Sequence, residues 1–198
     1  VVDGIRLFPD LQTALSCFHY VAGTTARLGS QRQMVLPPWE LAGKLVPISK
    51  ENDVAIVFGS EDRGLTNEDI RFCHALINIP TSNFSSLNLA QAVMVVCYAL
   101  FNADPPKRQH FVPRLAARHE LDGMYEQIRD ILVRINYILP ENPDYWMNKI
   151  RFFLSRLPIR AREVAMIRGI CRQIDWYGEK CRQEGRKERL ADPLVQPP

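Results

Sequence analysis

The stretch Val54-Ala-Ile-Val-Phe-Gly-Ser-Glu-Asp-Arg-Gly-Leu-Thr66 joins a short apolar run to a polar turn that contains two glycines. Its first five residues read as a buried β-strand, because β-branched and aromatic residues bounded by a turn favour that structure. Thr66 and Asp69 have the spacing of a capping box and predict a helix through Cys73. The segment therefore predicts a strand, a loop and a helix in succession.

The same alternation extends to both sides of this stretch. Further strands are predicted at Ile5 to Phe8, Tyr20 to Gly23 and Leu76 to Ile79, and further helices at Asp10 to Ser16 and Trp39 to Leu45. Strands that alternate with helices are typical of an α/β fold whose largely parallel sheet is covered by helices on both faces.

The next helix is apolar almost all round. Asn88 can cap it, and the apolar residues continue to Asn102. Such a helix is expected to be buried on several sides, by its own domain and by a second copy of the chain. The sequence therefore makes a homodimer plausible.

A proline pair in the segment Asp104 to His110 ends this pattern. We therefore predict an α/β domain over residues 1–105, a linker over 106–118, a helical extension over 119–180 and a flexible tail over 181–198. Apolar residues at helical spacing mark three helices of the extension. They are Met124, Ile128, Ile131 and Ile135 in the first, Trp146, Ile150, Phe153 and Leu157 in the second, and Val164, Ile167, Cys171 and Ile174 in the third.

Composition excludes several classes of protein. The 198 residues are 46% hydrophobic and 24% charged, which excludes a disordered or low-complexity chain. No apolar run is long enough to cross a membrane, and no signal segment opens the sequence. Five cysteines without zinc-ligand spacing, and four scattered histidines, support neither a metal site nor a Ser-His-Asp triad. A reducing cytoplasm fits best.

Charge is distributed unevenly along the chain. The formal net charge is +3, but residues 151–198 hold 11 Lys/Arg against 6 Asp/Glu. This asymmetry suits a phosphate-bearing partner, whereas an ordinary solvated helical face explains it equally well.

Loops leave three of the predicted strands, at Gly59, at Ile79-Pro80 with Ser85-Ser86, and at Gly23-Thr-Thr-Ala-Arg27. Because ligands gather at the carboxyl ends of parallel strands, these segments are expected to converge on one pocket. Gly59 and Gly64 would let backbone approach a ligand, with Glu61 and Arg63 beside it. The alternative is an ordinary turn with a surface ion pair, in which Asn88 is only a helix cap.

Three ordered motifs resemble those of TrmH-type SPOUT RNA 2′-O-ribose methyltransferases. They are Val57-Phe-Gly-Ser-Glu-Asp-Arg-Gly-Leu-Thr66, Ile79-Pro-Thr81 and Ser85-Ser-Leu-Asn-Leu-Ala-Gln-Ala92. The last of these, with Arg160-Ala-Arg-Glu-Val164 and Arg168-Gly-Ile170, is most similar to the TrmJ branch. The resemblance covers roughly residues 5–176. It implies a deep trefoil knot, a homodimer and S-adenosylmethionine as the cofactor.

Carried over position by position, the resemblance assigns roles to individual residues. Cofactor contacts are expected from Thr24, Gly59, Ile79, Ser85 and Leu87. Glu61, Ser86 and Asn88 would surround the reacting centre. Candidates for RNA phosphate contacts are Arg27, Arg32, Arg63, Arg160, Arg162 and Arg168. Trp39 is available for base stacking, whereas Trp146 and Trp176 are assigned mostly to the core.

The expected reaction is 2′-O-methylation of a tRNA anticodon loop, with ribosomal RNA as the alternative substrate. The family also uses an arginine in a Gly-Asn-x-Gly-x-x-x-Arg motif, and no Gly-Asn pair occurs in these residues. The sequence therefore leaves open whether an upstream segment carries that motif or whether the protein is a non-catalytic RNA-binding homologue.

Overall fold

The computed structural model describes residues 4–26, 34–81, 87–103 and 113–191. Its sheet has four strands in the order β2-β4-β1-β3, and every neighbouring pair is parallel. The strands are β1 (Tyr20–Thr24), β2 (Val35–Leu36), β3 (Val54–Val57) and β4 (Ala75–Ile77). With helices α1 (Leu11–Leu15), α2 (Pro38–Ile48), α3 (Asn67–Ile70) and α4 (Leu89–Phe101), the chain order is α1-β1-β2-α2-β3-α3-β4-α4. The predicted α/β class is confirmed.

Helices cover both faces of the sheet. Successive side chains of a strand point to opposite faces, so neighbouring residues of β1 pack against different helices. Tyr20 and Ala22 of β1 pack in one cluster with Leu41 of α2 and Val96 of α4. Val21, between them, packs in the other cluster, which contains Leu15 and residues of α1 and α3. Strands buried on both faces account for the almost continuous apolar runs in the sequence.

The predicted strand at Ile5 to Phe8 is wrong. These residues form no strand, and Ile5 and Leu7 are 68% and 93% exposed. The pattern missed β2, whose Val35 pairs with Leu76. Both errors have the same cause. A strand forms only where a partner backbone is available, and a short apolar run does not show whether there is one.

Local helix signals were more informative. Asp10 accepts a hydrogen bond from the Thr13 amide at 2.7 Å, and Thr66 and Asp69 form the predicted capping box. The helix that this box begins is shorter than predicted, because α3 ends at Ile70.

The helical extension contains α5 (Arg118–Arg134), α6 (Pro143–Ser155) and α7 (Ala161–Ala191). These helices enclose a second core that includes Met124, Tyr125 and Met147. The predicted tail from residue 181 is helical up to Ala191. Its charged residues are good helix formers, and ion pairs such as Lys180–Glu184 support the last turns.

The second part of the predicted linker is packed rather than exposed. Leu115 is buried, and its amide donates to the Asn52 side chain at 2.7 Å. The side chain of Arg118 is also buried, pairs with Asp122 at 2.9 Å and lies over the Phe72 ring. These contacts fasten the beginning of α5 to the α/β domain, so residues 113–118 join the two units firmly.

The predicted apolar face of α6 is only partly correct, because Ile150 packs in the core but Trp146, Phe153 and Leu157 are exposed. Met147, Ile150 and Leu154 pack in the core, whereas Trp146 and Phe153 are 44% and 64% exposed. Trp176, also expected mostly in the core, is 56% exposed. Both faces of α6 carry apolar residues, so their spacing alone could not show which face is buried.

No helix in the described ranges is long and apolar enough to cross a membrane. All five cysteines are free thiols, and burial raises the pKa of the Cys73 thiol to about 12. Cys73 therefore acts as a small apolar side chain at neutral pH.

Candidate functional site

The carboxyl ends of β1, β3 and β4 meet at one edge of the sheet. The Thr25 amide donates to the Ile77 carbonyl at 2.8 Å, and the Asn78 side chain donates to the Thr25 carbonyl at 2.9 Å. On the other side, the Thr24 hydroxyl donates to the Val57 carbonyl at 3.3 Å. The predicted convergence of these strand ends is therefore present, and Asn78, which the sequence analysis did not single out, helps to hold it.

The loop after β3 closes tightly on itself. The Gly64 amide donates to the Ser60 carbonyl at 2.8 Å, and Gly64 has a φ of 69° that favours glycine. A Cβ atom on Gly59 would lie 2.0 Å from the carbonyl carbon of Gly64. Glycine is therefore required at position 59 by the backbone of its own loop, in addition to any requirement of a ligand.

The charged residues of this loop differ in their partners. Arg63 pairs with Asp62 at 3.0 Å, and both side chains are largely exposed. Hydrogen bonds from the Ser60 and Arg63 side chains hold the pKa of Asp62 below its usual value. Arg63 therefore fits the alternative interpretation of an ordinary turn with a surface ion pair. Glu61 does not fit it.

Glu61 lies across a groove from the beginning of α4. The groove has a volume of about 560 Å³, and its lining includes Glu61, Asn88, Val93, Met94 and Cys97. Two of the three predicted reacting-centre residues, Glu61 and Asn88, therefore line the same space. This volume falls within the range of about 300–1,000 Å³ that small-molecule sites occupy.

Asn88 caps α4, and its side-chain oxygen accepts the Ala90 amide at 2.8 Å. The residue is exposed. Asn88 therefore lines the groove while its side-chain oxygen holds the beginning of the helix. A cap and a substrate contact are compatible roles for one asparagine, because it has both an acceptor and donors.

The remaining cofactor candidates differ in their surroundings. Thr24 and Gly59 follow neighbouring strand ends, and Leu87 is half-buried just before α4. The Ile79 side chain packs against the core cluster on the α2 and α4 face, so only its backbone could reach a ligand. Four of the predicted site residues lie outside the described residues, namely Arg27, Arg32, Ser85 and Ser86.

The basic candidates of the helical extension lie at the beginning and along α7. Arg162 and Arg168 are exposed, and Arg160 is half-buried. The Arg168 guanidinium donates to the Gln127 side chain at 3.2 Å, which ties it to α5. Within the described parts of the chain, no group of three or more His, Cys, Asp or Glu side chains could hold a metal ion.

Comparison with protein families gives two matches. Residues 15–98 match the SpoU rRNA Methylase family, and residues 119–189 match the C-terminal domain of the tRNA methyltransferase TrmJ. The first match spans the sheet and the groove, and the second spans the three helices of the extension.

Individual relatives agree with both matches. The chain is 31% identical to the tRNA (cytidine/uridine-2′-O-)-methyltransferase TrmJ of Klebsiella pneumoniae, covering 88% of this chain and 75% of the relative. It is 33% identical to the tRNA (cytidine/uridine/adenosine-2′-O-)-methyltransferase TrmJ of Pseudomonas aeruginosa, covering 86% and 72%. The crystal structure of TrmJ from Z. mobilis superposes with a TM-score of 0.73 at 27% identity, covering 86% and 73%. These likenesses confirm the fold and the family that the motifs indicated.

Proposed function

Because the chain belongs to the TrmJ branch of the SpoU methylase family, we propose that it transfers a methyl group from S-adenosylmethionine to a ribose 2′-oxygen of tRNA. The observation that carries this proposal is that Glu61, in the loop after β3, and Asn88, at the beginning of α4, line one groove. Both residues come from motifs that resemble the family's catalytic motifs.

The strand ends suit the methyl donor. Backbone groups near Thr24, Gly59 and Ile79 lie where parallel sheets bind small molecules. Donors and acceptors of the backbone can recognise an adenine edge and a ribose, and the closed loop at Gly59 fixes their positions before binding. S-adenosylmethionine supplies an electrophilic methyl carbon on a sulfonium. Ser85 and Leu87 are proposed to complete the cofactor contacts.

The protein's own part in the reaction is alignment. Methyl transfer forms a bond between the ribose oxygen and the methyl carbon, breaks the carbon–sulfur bond so that S-adenosylhomocysteine leaves, and passes the hydroxyl proton to water. Glu61, Ser86 and Asn88 are proposed to orient that hydroxyl, with the Glu61 carboxylate accepting a hydrogen bond from it and the Asn88 amide donating one. Correct orientation removes most of the entropic part of the barrier.

Basic residues are proposed to hold the RNA backbone. Arg63 lies in the loop that carries Glu61, and Arg162 and Arg168 are exposed on α7. Arg27, Arg32 and Arg160 remain candidates for the same role. Contacts of this kind make affinity strongly dependent on salt.

We further propose that two copies of the chain form a dimer through α4. Val96 is buried, but Met94, Tyr98 and Phe101 on another side of the helix are 69%, 68% and 88% exposed. An exposed apolar stripe of this kind is typical of a protein–protein interface. The reaction is proposed to take place in the cytoplasm, where tRNA and the five free thiols would both be found.

The direct experiment is transfer of labelled methyl from S-adenosylmethionine by the full gene product to tRNA and, in parallel, to ribosomal RNA. Nuclease digestion and mass spectrometry then locate the label. Methyl on a ribose 2′-oxygen of tRNA is the expected result. Methyl on ribosomal RNA alone would change the substrate, and methyl on a base or no transfer to either RNA would contradict the proposal.

A further inference from the structure

Helix α6 carries a second apolar face that the helical core does not use. Met147 and Leu154 pack in the core, whereas Tyr145, Trp146 and Phe153 are 52%, 44% and 64% exposed. Trp146 and Phe153 are two turns apart, and Lys149 lies between them on the same side of the helix, one turn from Tyr145 and Trp146. Tyr145 and Trp146 also contact each other edge to face, with ring centroids 5.6 Å apart.

Two cations lie on this surface. The Lys149 ammonium is 4.3 Å from the centre of the Tyr145 ring and 4.9 Å from that of Trp146. The Arg156 guanidinium is 4.1 Å from the centre of the Phe152 ring. Among the residues that the structure describes, no carboxylate forms an ion pair with either cation. The surface therefore combines exposed aromatic rings, over which Lys149 and Arg156 lie, with positive charge that forms no ion pair to a described acidic group.

This combination favours one kind of occupant. An apolar protein surface would have to desolvate Lys149 and Arg156 without supplying an opposite charge. Unpaired nucleotides of RNA offer a partner to both the rings and the cations. Each nucleotide has a base that can stack on a ring and a phosphate that can pair with a cation. An ordinary solvated helix face would explain the cations. It would not explain exposed tryptophan, tyrosine and phenylalanine side chains next to one another.

We propose that the α6 aromatic face, defined as Tyr145, Trp146, Lys149, Phe153 and Arg156, binds unpaired nucleotides of the RNA substrate. The inference deepens the proposed function, on which it rests. Bases stack on the three rings, and Lys149 and Arg156 contact the adjacent phosphates. The helical extension thereby holds a single-stranded part of the substrate while the groove of the α/β domain acts on a ribose.

The first test is the affinity of the protein for a fluorescent tRNA transcript, measured by anisotropy at several salt concentrations. Trp146→Ala and Phe153→Ala are each expected to raise Kd about tenfold, because loss of one stacking ring has an effect of this order. Trp146→Phe should keep most of the affinity. Tyr137→Ala is the matched control, since Tyr137 is 69% exposed but lies outside α6.

Charge and stacking can be separated in the same assay. Lys149→Gln should lower the slope of log Kd against log salt by about 0.7, as expected for one phosphate contact to a single strand. Trp146→Phe should leave that slope unchanged. Circular dichroism and thermal unfolding of each variant show whether the helical core has been preserved.

A fluorescence measurement keeps the proposal testable if an alanine variant fails to fold. With Trp39→Phe and Trp176→Phe, Trp146 becomes the single tryptophan. Its emission should be quenched by a single-stranded oligonucleotide and remain unchanged with a blunt duplex of equal length.

The outcomes distinguish this proposal from the one on which it rests. Normal methyl transfer and unchanged Kd in all α6 variants would overturn the role of this face and leave the methyltransferase intact. Altered sedimentation with unchanged RNA affinity would identify a protein interface and overturn it equally. Failure of the unmodified protein to bind or methylate RNA would contradict the proposed function itself.

Discussion

The α/β domain and the helical extension present their polar groups in different ways. At the strand ends, the bond from the Thr24 hydroxyl to the Val57 carbonyl and the closed loop from Gly59 to Gly64 fix the local geometry. On α6 and α7, exposed side chains such as Lys149 and Arg162 project from regular helices. A single added atom can disrupt a site whose geometry the backbone sets. A surface made of side chains loses affinity in smaller steps as individual side chains are removed. This difference suits chemistry in one unit and substrate binding in the other.

The largest effect is expected from Gly59→Ala. The new Cβ would lie 2.0 Å from the backbone of Gly64, so the loop must move, and the free energy of unfolding should fall by about 3 kcal/mol. Binding of S-adenosylmethionine should be lost in protein that remains folded. Denaturant unfolding and calorimetry measure the two effects.

Gly43→Ala in α2 is the matched control, since nothing lies within 4 Å of its Cβ position. It should stabilise the protein by roughly 1 kcal/mol through helix propensity. Equal effects of Gly59→Ala and Gly43→Ala on stability and on cofactor binding would contradict the conclusion that the backbone sets the geometry of the site.

A change on the exposed side of α4 tests the proposed dimer. Phe101→Lys places a charge on the most exposed residue of the stripe and should weaken dimerisation at least tenfold, as measured by sedimentation equilibrium. Leu139→Lys, at a residue that is 65% exposed outside α4, should not alter the oligomeric state. A monomeric unmodified protein would refute this assignment of α4.

Acid should destabilise the protein through His74. Burial, with a smaller effect of Arg118, lowers the pKa of His74 to about 4, and its Nδ1 accepts the Val21 amide at 3.1 Å. Because the unfolded chain binds this proton at higher pH than the folded chain does, stability is lost as pH falls from about 6.5 toward 4.

The expected slope from this group is about 1.4 kcal/mol per pH unit. His74→Gln should remove that part of the pH dependence, as followed by denaturant unfolding at each pH. An unchanged slope in the variant would assign the acid sensitivity to other groups.

The smallest change in stability is expected from Asn88. Asn88→Ala removes the cap of α4 and should cost about 1 kcal/mol, while kcat/KM for methyl transfer should fall by more than tenfold. Asn88→Asp keeps an N-cap acceptor but lacks the amide donors, and it should lose activity at nearly unchanged stability. If activity and stability fall together in both variants, Asn88 is chiefly a cap.

The sequence predicted local features well. Asp10, Thr66 and Asn88 cap helices as predicted, since a cap is decided by residues within one turn. The strand at residues 5–8 was predicted wrongly and β2 was missed, because strands depend on distant partners.

The site was predictable to a similar extent. The resemblance, rather than the strand-end rule, placed Glu61 and Asn88 around one reacting centre, and in the structure both residues line one groove. The bond from Asn78 to Thr25 joins residues far apart in the chain, and no local pattern indicated it. The exposure of Trp146 could not be predicted either, because it depends on how the three helices of the extension pack together.

The knot remains a prediction of the resemblance. Residues 82–86, between β4 and α4, lie outside the described residues.

The central claim is that the converging strand ends form a methyl-donor pocket, and calorimetric titration of S-adenosylmethionine into the full gene product tests it most directly. We predict saturable binding with a stoichiometry of one per chain, abolished by Gly59→Ala and retained by Gly43→Ala. Absence of binding to the folded, unmodified protein, or unaltered binding to a folded Gly59→Ala variant, would contradict it.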